Sequence, residues 1–141
     1  QAIKYFSGIV KYQKTFQYDI NSVYGEGWKV FLDLGELSKI ADVNLNDKHL
    51  GVTWTKPFRF DVTDILKSGD NVLTVEIANT WSNRLKGDAI SGQKLTNTNI
   101  RTTNIAGLNK IQVPWADVPL IRSGLFGPVT LMTVKEVGVP D

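Results

Sequence analysis

At 141 residues the chain is long enough for one domain with its own core, burying about two-thirds of the surface that its unfolded form exposes. Its 16 basic and 14 acidic residues leave a formal charge of +2 without a Lys/Arg cluster, which excludes an electrostatic nucleic-acid surface. Cysteine is absent, which excludes disulfides and thiolate metal sites, and no apolar run approaches the roughly 20 residues of a membrane-spanning helix.

The first strand signal runs from Gly8 to Gln17: Val10, Tyr12 and Phe16 share a face with Lys14, while Ile9, Lys11, Gln13, Thr15 and Gln17 take the other. Asn21 to Gly27, with Asn, Ser and glycines, reads as a connection. Trp28, Val30, Leu32 and Leu34 then alternate with Lys29, Phe31, Asp33 and Gly35, and the outward Phe31 calls for cover on that side. Glu36 to Ile40 is a short link. Val43 and Leu45 resume the period, the chain reverses at Asn46-Asp47-Lys48, and Leu50, Val52 and Trp54 predict a returning strand with one apolar face. Phe58, Phe60 and Val62 alternate with Arg59 and Asp61. Thr63-Asp64 is expected to cap a single helical turn through Leu66, ended by Gly69-Asp70-Asn71, before Leu73, Val75 and Ile77 mark the inward set of another strand.

Beyond Asn79 the texture changes. Thr80 to Asn109 is rich in Asn, Thr, Ser and Gly and poor in periodic apolar residues, so a long irregular excursion is expected, of the kind that is functional, disordered or docked on a neighbour. Lys110 to Val113 is expected to form a short strand before Pro114-Trp115. Gly124, Gly127 and Pro128 read as backbone devices ahead of a closing strand, Val129 to Val137, whose two alternating sets are both apolar and so predict cover on both faces. The first strand is expected to pair near this last one. Short strands, tight turns, no amphipathic helix of ordinary length and no repeat period predict an all-β antiparallel β-sandwich.

Four ordered pieces add a resemblance: LNDKHLG, PFRFDVTDILKSGDNVLTVEIAN, NTWSNRLKGD and SGLFGPVTL. Together they resemble the galactose-binding-like jelly roll of family 2 glycoside hydrolases, and the last two resemble the corresponding module of large bacterial α-L-rhamnosidases. The resemblance covers most of the chain. It implies a single module over residues 1–141, taken from a larger multidomain enzyme and supporting a catalytic barrel built elsewhere. It also implies carbohydrate and the parent's other domains as partners, and a secreted, periplasmic or cell-surface setting. A chain that opens on Gln1 rather than Met is expected to be such a segment.

Sugar recognition uses a flat apolar surface against the C–H face of the ring and planar polar groups that read hydroxyls. Trp81, Asn83 and Arg84 are of those types and follow the strand ending near Ala78, at one end of the sandwich where ligand-reading loops sit. Asp88 is near enough to pair with Arg84 or to accept a hydroxyl hydrogen bond. The competing reading has Trp81 closing the end of the core while Asn79, Asn83 and Arg84 satisfy loop backbone groups. Trp54, Arg59 and Trp115 form a second set: Trp54 reads as core or rim, Arg59 as the outward partner of a cross-strand acid, and Trp115 as lining a groove or a domain interface.

A glycosidase of its own would need two carboxylates about 5 to 10 Å apart. Asp33 with Glu36 and Asp61 with Asp64 are the available pairs, but outward strand positions and a capping turn explain them. His49 stands alone, which excludes a histidine zinc cluster and a Ser-His-acid arrangement. Ser91-Gly92-Gln93-Lys94 matches S-x-x-K in spacing only, and no phosphate-cradling motif occurs. No cofactor is called for, and a structural calcium on carbonyls and scattered Asp or Asn stays open. The sequence therefore predicts a noncatalytic carbohydrate-binding-type module, with a purely structural or protein-interaction module as the alternative.

Overall fold

A computed structural model describes residues 3–22, 27–100, 102–104 and 112–137. The chain forms two compact units, Ile9–Ala78 with Ser123–Asp141, and Gln1–Gly8 with Asn79–Arg122.

The first unit is the antiparallel sandwich. One sheet orders β1 (Ile9–Tyr18), β7 (Gly69–Ala78), β4 (Ile40–Leu45) and β5 (Lys48–Thr53). Against it lie β11 (Thr130–Lys135), β2 (Trp28–Asp33) and β6 (Arg59–Asp61), with β10 (Gly124–Gly127) paired to β3 (Glu36–Ser38). A single core joins the layers: Val30 and Leu32 from β2, Val43 and Leu45 from β4, Val75 and Ile77 from β7, closed by Phe58, Val62 and Leu66. The buried residues of each strand sit two apart, as a pleated backbone requires when one face is dry, and each such side chain contributes roughly 1.5–3 kcal/mol.

Asn46 and Asp47 make the two-residue turn between β4 and β5 with φ of 51° and 64°, a left-handed pair that short polar side chains tolerate. The returning strand departs from strict alternation. Asn44 opposes His49 but Val43 opposes Gly51, so Leu50 is the extra residue of a bulge. The slip reverses the faces beyond it: Leu50 packs on the core, while Val52 and Trp54 are exposed. Trp54 is thus neither core nor rim.

Asn71, with no exposed surface, holds the turn after Leu66 to the β4–β5 hairpin. Its amide donates to the carbonyls of Lys67 (2.8 Å) and Gly69 (3.0 Å), and its oxygen accepts from the Lys67 N–H (2.9 Å) and the Asn46 side chain (2.7 Å). The cap of that turn is Asp61 rather than Thr63-Asp64: its Oδ1 accepts from the Thr63 N–H and hydroxyl, at 3.0 and 2.6 Å. Gly35 must be glycine. With φ of 67°, a Cβ there would lie 2.5 Å from the Pro128 carbonyl oxygen.

The strand order corrects two expectations at the chain ends. β1 pairs with β7, and β11 pairs with β2. β1 and β11 are edge strands that meet only across an apolar groove of about 530 Å³ lined by Tyr12, Phe16, Leu125 and Leu131. β11 packs Leu131 on the core while Val134, on its other face, is exposed, as is Val129 ahead of the strand, so it is not covered on both faces.

Within the expected irregular excursion the second unit places a ten-residue helix, α1 (Ser82–Ser91), closed by Gly92 in the left-handed conformation, while residues 93–100 carry no regular element and 101 and 105–109 lie outside the described residues. β8 (Thr102–Asn104) and β9 (Gln112–Pro114) form a hairpin that leads into a single 3-10 turn, Trp115–Asp117. Lys110 and Ile111 of the expected short strand, and residues 23–26 of the expected connection, lie outside the described residues. The helix has no apolar stripe, because its buried positions are Asn83 and Gly87. A Cβ at Gly87 would lie 2.7 Å from the Tyr5 Cβ. Close approach and polar clamps, rather than a greasy face, hold α1.

Candidate functional site

The five candidate residues Trp81, Asn83, Arg84, Asp88 and Trp115 all fall in the second unit, on or against α1. Trp81 occupies the position before the first helical residue with no capping side-chain bond, and 61% of it is exposed. Asn83 is buried, and both ends of its amide are engaged: Nδ2 donates to the Ile121 carbonyl at 2.7 Å, and Oδ1 accepts the Ile121 N–H at 2.8 Å. Arg84 and Asp88, one turn apart, form an ion pair with Nε 3.3 Å from Oδ1. The second oxygen of Asp88 accepts the Thr96 N–H at 2.8 Å, so this carboxylate also fastens the segment after the helix.

These residues divide between two grooves on either side of Thr96-Asn97. One, of about 600 Å³, is lined by Phe6, Trp81, Arg84 and Leu95. The other, of about 670 Å³, is lined by Leu85, Asp88, Lys94, Ile100 and Trp115. Trp115 donates its indole N–H to the Ile100 carbonyl at 3.1 Å, so its polar edge is occupied there. Asn83 lines neither groove. The first groove sets two partly exposed aromatics beside a guanidinium and the Asn97 amide.

Phe6 and Lys86 were not legible as site residues. Phe6 stands in a short aromatic stretch ahead of the first strand, without periodicity to mark it. Lys86 donates to the carbonyls of Ala116 (2.6 Å) and Val118 (2.7 Å), holding the 3-10 turn to the helix.

The remaining polar candidates are occupied within the sandwich. Arg59 pairs with Asp33 directly across the strands at 2.6 Å, the cross-strand acid expected for it. The Arg59 hydrogen bond, then the Gly35 amide, hold the Asp33 carboxyl below the usual carboxylate range. The Thr63 hydroxyl and amide do the same for Asp61. A general acid for glycoside cleavage needs the opposite shift. His49 sits 2.8 Å from Asp42, and among the described residues no three His, Asp or Glu side chains gather as metal ligands.

A family model described as "Glycosyl hydrolase 2 galactose-binding domain-like" matches residues 8–117. The chain belongs to this family. Its galactose-binding-like sandwich is similar to part of a Formosa agariphila protein named "Putative beta-glucuronidase", at 48% identity over 150 residues that span 96% of this chain and 13% of that protein. A "Beta-glucuronidase" of the same organism is 39% identical over 75 residues, 51% of this chain and 7% of its own. A solved structure of a rhamnosidase from Novosphingobium sp. PP1Y matches with a TM-score of 0.70 and 36% identity, over 94% of this chain and 11% of that one. The galactose-binding-like chain therefore spans between a fourteenth and an eighth of the length of these relatives, and it resembles a noncatalytic module of larger glycoside hydrolases.

Proposed function

We propose that this chain is an accessory module of a larger glycoside hydrolase, supporting the catalytic domain and offering the Phe6–Trp81 cleft to a glycan. The observation that carries the glycan reading is Trp81, an aromatic plane left exposed beside Phe6 and Arg84 at one groove. Such a platform takes the apolar face of a sugar, and the neighbouring amide and guanidinium read its hydroxyls. The names of the relatives point to rhamnosides and glucuronides as the first glycans to try. We propose with it a secreted, periplasmic or cell-surface setting, which cell fractionation tests.

A purely structural or protein-interaction role is the second reading, and the engaged amide of Asn83 and indole of Trp115 favour it. Calorimetric titration of the 141-residue chain with rhamnose- and glucuronate-containing oligosaccharides, with an assay for released sugar, separates the two. The glycan reading expects saturable binding, no hydrolysis, and loss of binding in Trp81→Ala. Absence of binding to every glycan would favour the structural role, and hydrolysis by the chain alone would overturn both.

A further inference from the structure

The outer face of the four-stranded sheet carries an apolar row that crosses all its strands. Ile9 and Ile40 both stand opposite Ala78, one on each side, and Trp54 follows Thr53, the partner of Ala41, which sets it beside Ile40. Ile9 is 65% exposed and Trp54 66%, with Ile40 and, in the next row, Val52 also exposed. Four large apolar side chains in adjacent register differ from the scattered single ones normal on a surface.

The charged residues behind this row are already paired with each other. Lys11 faces Glu76 at 3.8 Å and Asp42 holds His49 at 2.8 Å. A partner therefore needs an apolar face and no complementary charge. Side chains of this number and size present on the order of a few hundred Å². That is well short of the roughly 800 Å² per partner that stable association of separate chains uses, so a second copy of this chain is poorly served by it. A contact this small suffices when the partner is tethered, because a short linker holds it at an effective concentration of about millimolar. Matched proteins of which this chain spans only 13% and 11% supply a large remainder to be that partner.

We propose that the Ile9–Ala78–Ile40–Trp54 row is the docking face for another domain of the same polypeptide, one that presents an apolar surface. The inference rests on the reading of the chain as one module of a longer enzyme. Hydroxyl-radical footprinting of Trp54, in the 141-residue chain and in the full-length gene product, tests it. The expected result is a several-fold loss of Trp54 reactivity in the longer protein. The double variant Ile40→Thr/Trp54→Ser should lower the melting temperature of the longer protein and leave that of the short chain unchanged. Equal reactivity in both forms would overturn the proposal, as would concentration-dependent protection in the short chain, which marks self-association, or a gene product no longer than this chain. The module reading fails separately: a full-length protein without glycosidase activity would sink it, whereas a fully active one with Trp54 still reactive would sink only the docking face.

Discussion

The side-chain amide of Asn83 and the main chain of Ile121, 38 residues apart, exchange two hydrogen bonds at 2.7 and 2.8 Å, as paired strands do. One planar side chain thereby fastens α1 to the segment that returns to the sandwich. Replacing Asn83, itself buried, by alanine removes both hydrogen bonds to the Ile121 main chain, at a cost of about 1–3 kcal/mol for the pair. Urea unfolding should show this loss, with Asn83→Asp at least as costly, because a buried carboxylate oxygen would face the Ile121 carbonyl where the amide N–H donated. An unchanged midpoint in Asn83→Ala would show that the clamp contributes nothing.

Asn71 supplies the corresponding clamp in the sandwich, where four polar groups converge on a side chain with no exposed surface. Leucine there has the same branched outline but is bulkier, and it makes none of the hydrogen bonds. Asn71→Leu is predicted to destabilise the chain by roughly 2–4 kcal/mol, lowering the melting temperature by about 7–14 °C in calorimetry. Asn46→Ala, which removes one of those partners and a bond to the Val72 N–H, should cost less than Asn71→Leu.

Trp81 and Trp115 should separate ligand contact from loop pinning. Trp81 is exposed and its indole makes no hydrogen bond among the described residues, so Trp81→Ala is expected to change stability by less than about 0.5 kcal/mol. Trp115→Phe removes the indole bond to Ile100 and should lower stability by roughly 0.5–1.5 kcal/mol. Thermal melts of the two variants side by side test the contrast, and a larger drop in Trp81→Ala would return that residue to a structural role.

Asp33 and Asp61 give the chain an acid-sensitive contribution of known sign. Both carboxyls are held below their ordinary range, Asp33 first by Arg59 and Asp61 first by Thr63, so the folded state binds their protons less readily than the unfolded one. That stability is fully present above the unfolded carboxylate pKa of about 4 and is lost as pH falls through the lower folded values. The Arg59 side of the first pair is 45% exposed, so screening keeps the effect modest. Melting temperature measured from pH 7 to pH 2 should fall most steeply below about pH 4, and Asp33→Asn should flatten that fall. A slope unchanged in Asp33→Asn and in Asp61→Asn would contradict the assignment.

Much of the sandwich was legible because a half-buried strand writes its period into the sequence. Val43 and Leu45, Val75 and Ile77, and Phe58 and Val62 are buried as their alternation predicts, with Phe60 half-buried between the last two. The bulge at Leu50 was not legible, since an inserted residue has no side-chain signature, and one residue of slip was enough to turn Trp54 outward. α1 was missed for a different reason. A helix held by an amide, a lysine and a glycine contact lacks the apolar stripe that announces helices, and its Asn, Ser and Gly content reads as loop. The candidate residues all fall in one region, but their partition between two grooves depends on where the helix turns each of them.

The most direct test of the proposed accessory role is the indole region of a 1H–15N correlation spectrum, where each of the four tryptophans gives its own N–H signal. As rhamnose- or glucuronate-containing oligosaccharide is added, the Trp81 signal should shift saturably, while those of Trp54 and Trp28 stay in place and no free sugar appears. A spectrum unmoved by every glycan, or one in which sugar is released by the chain itself, would contradict the account.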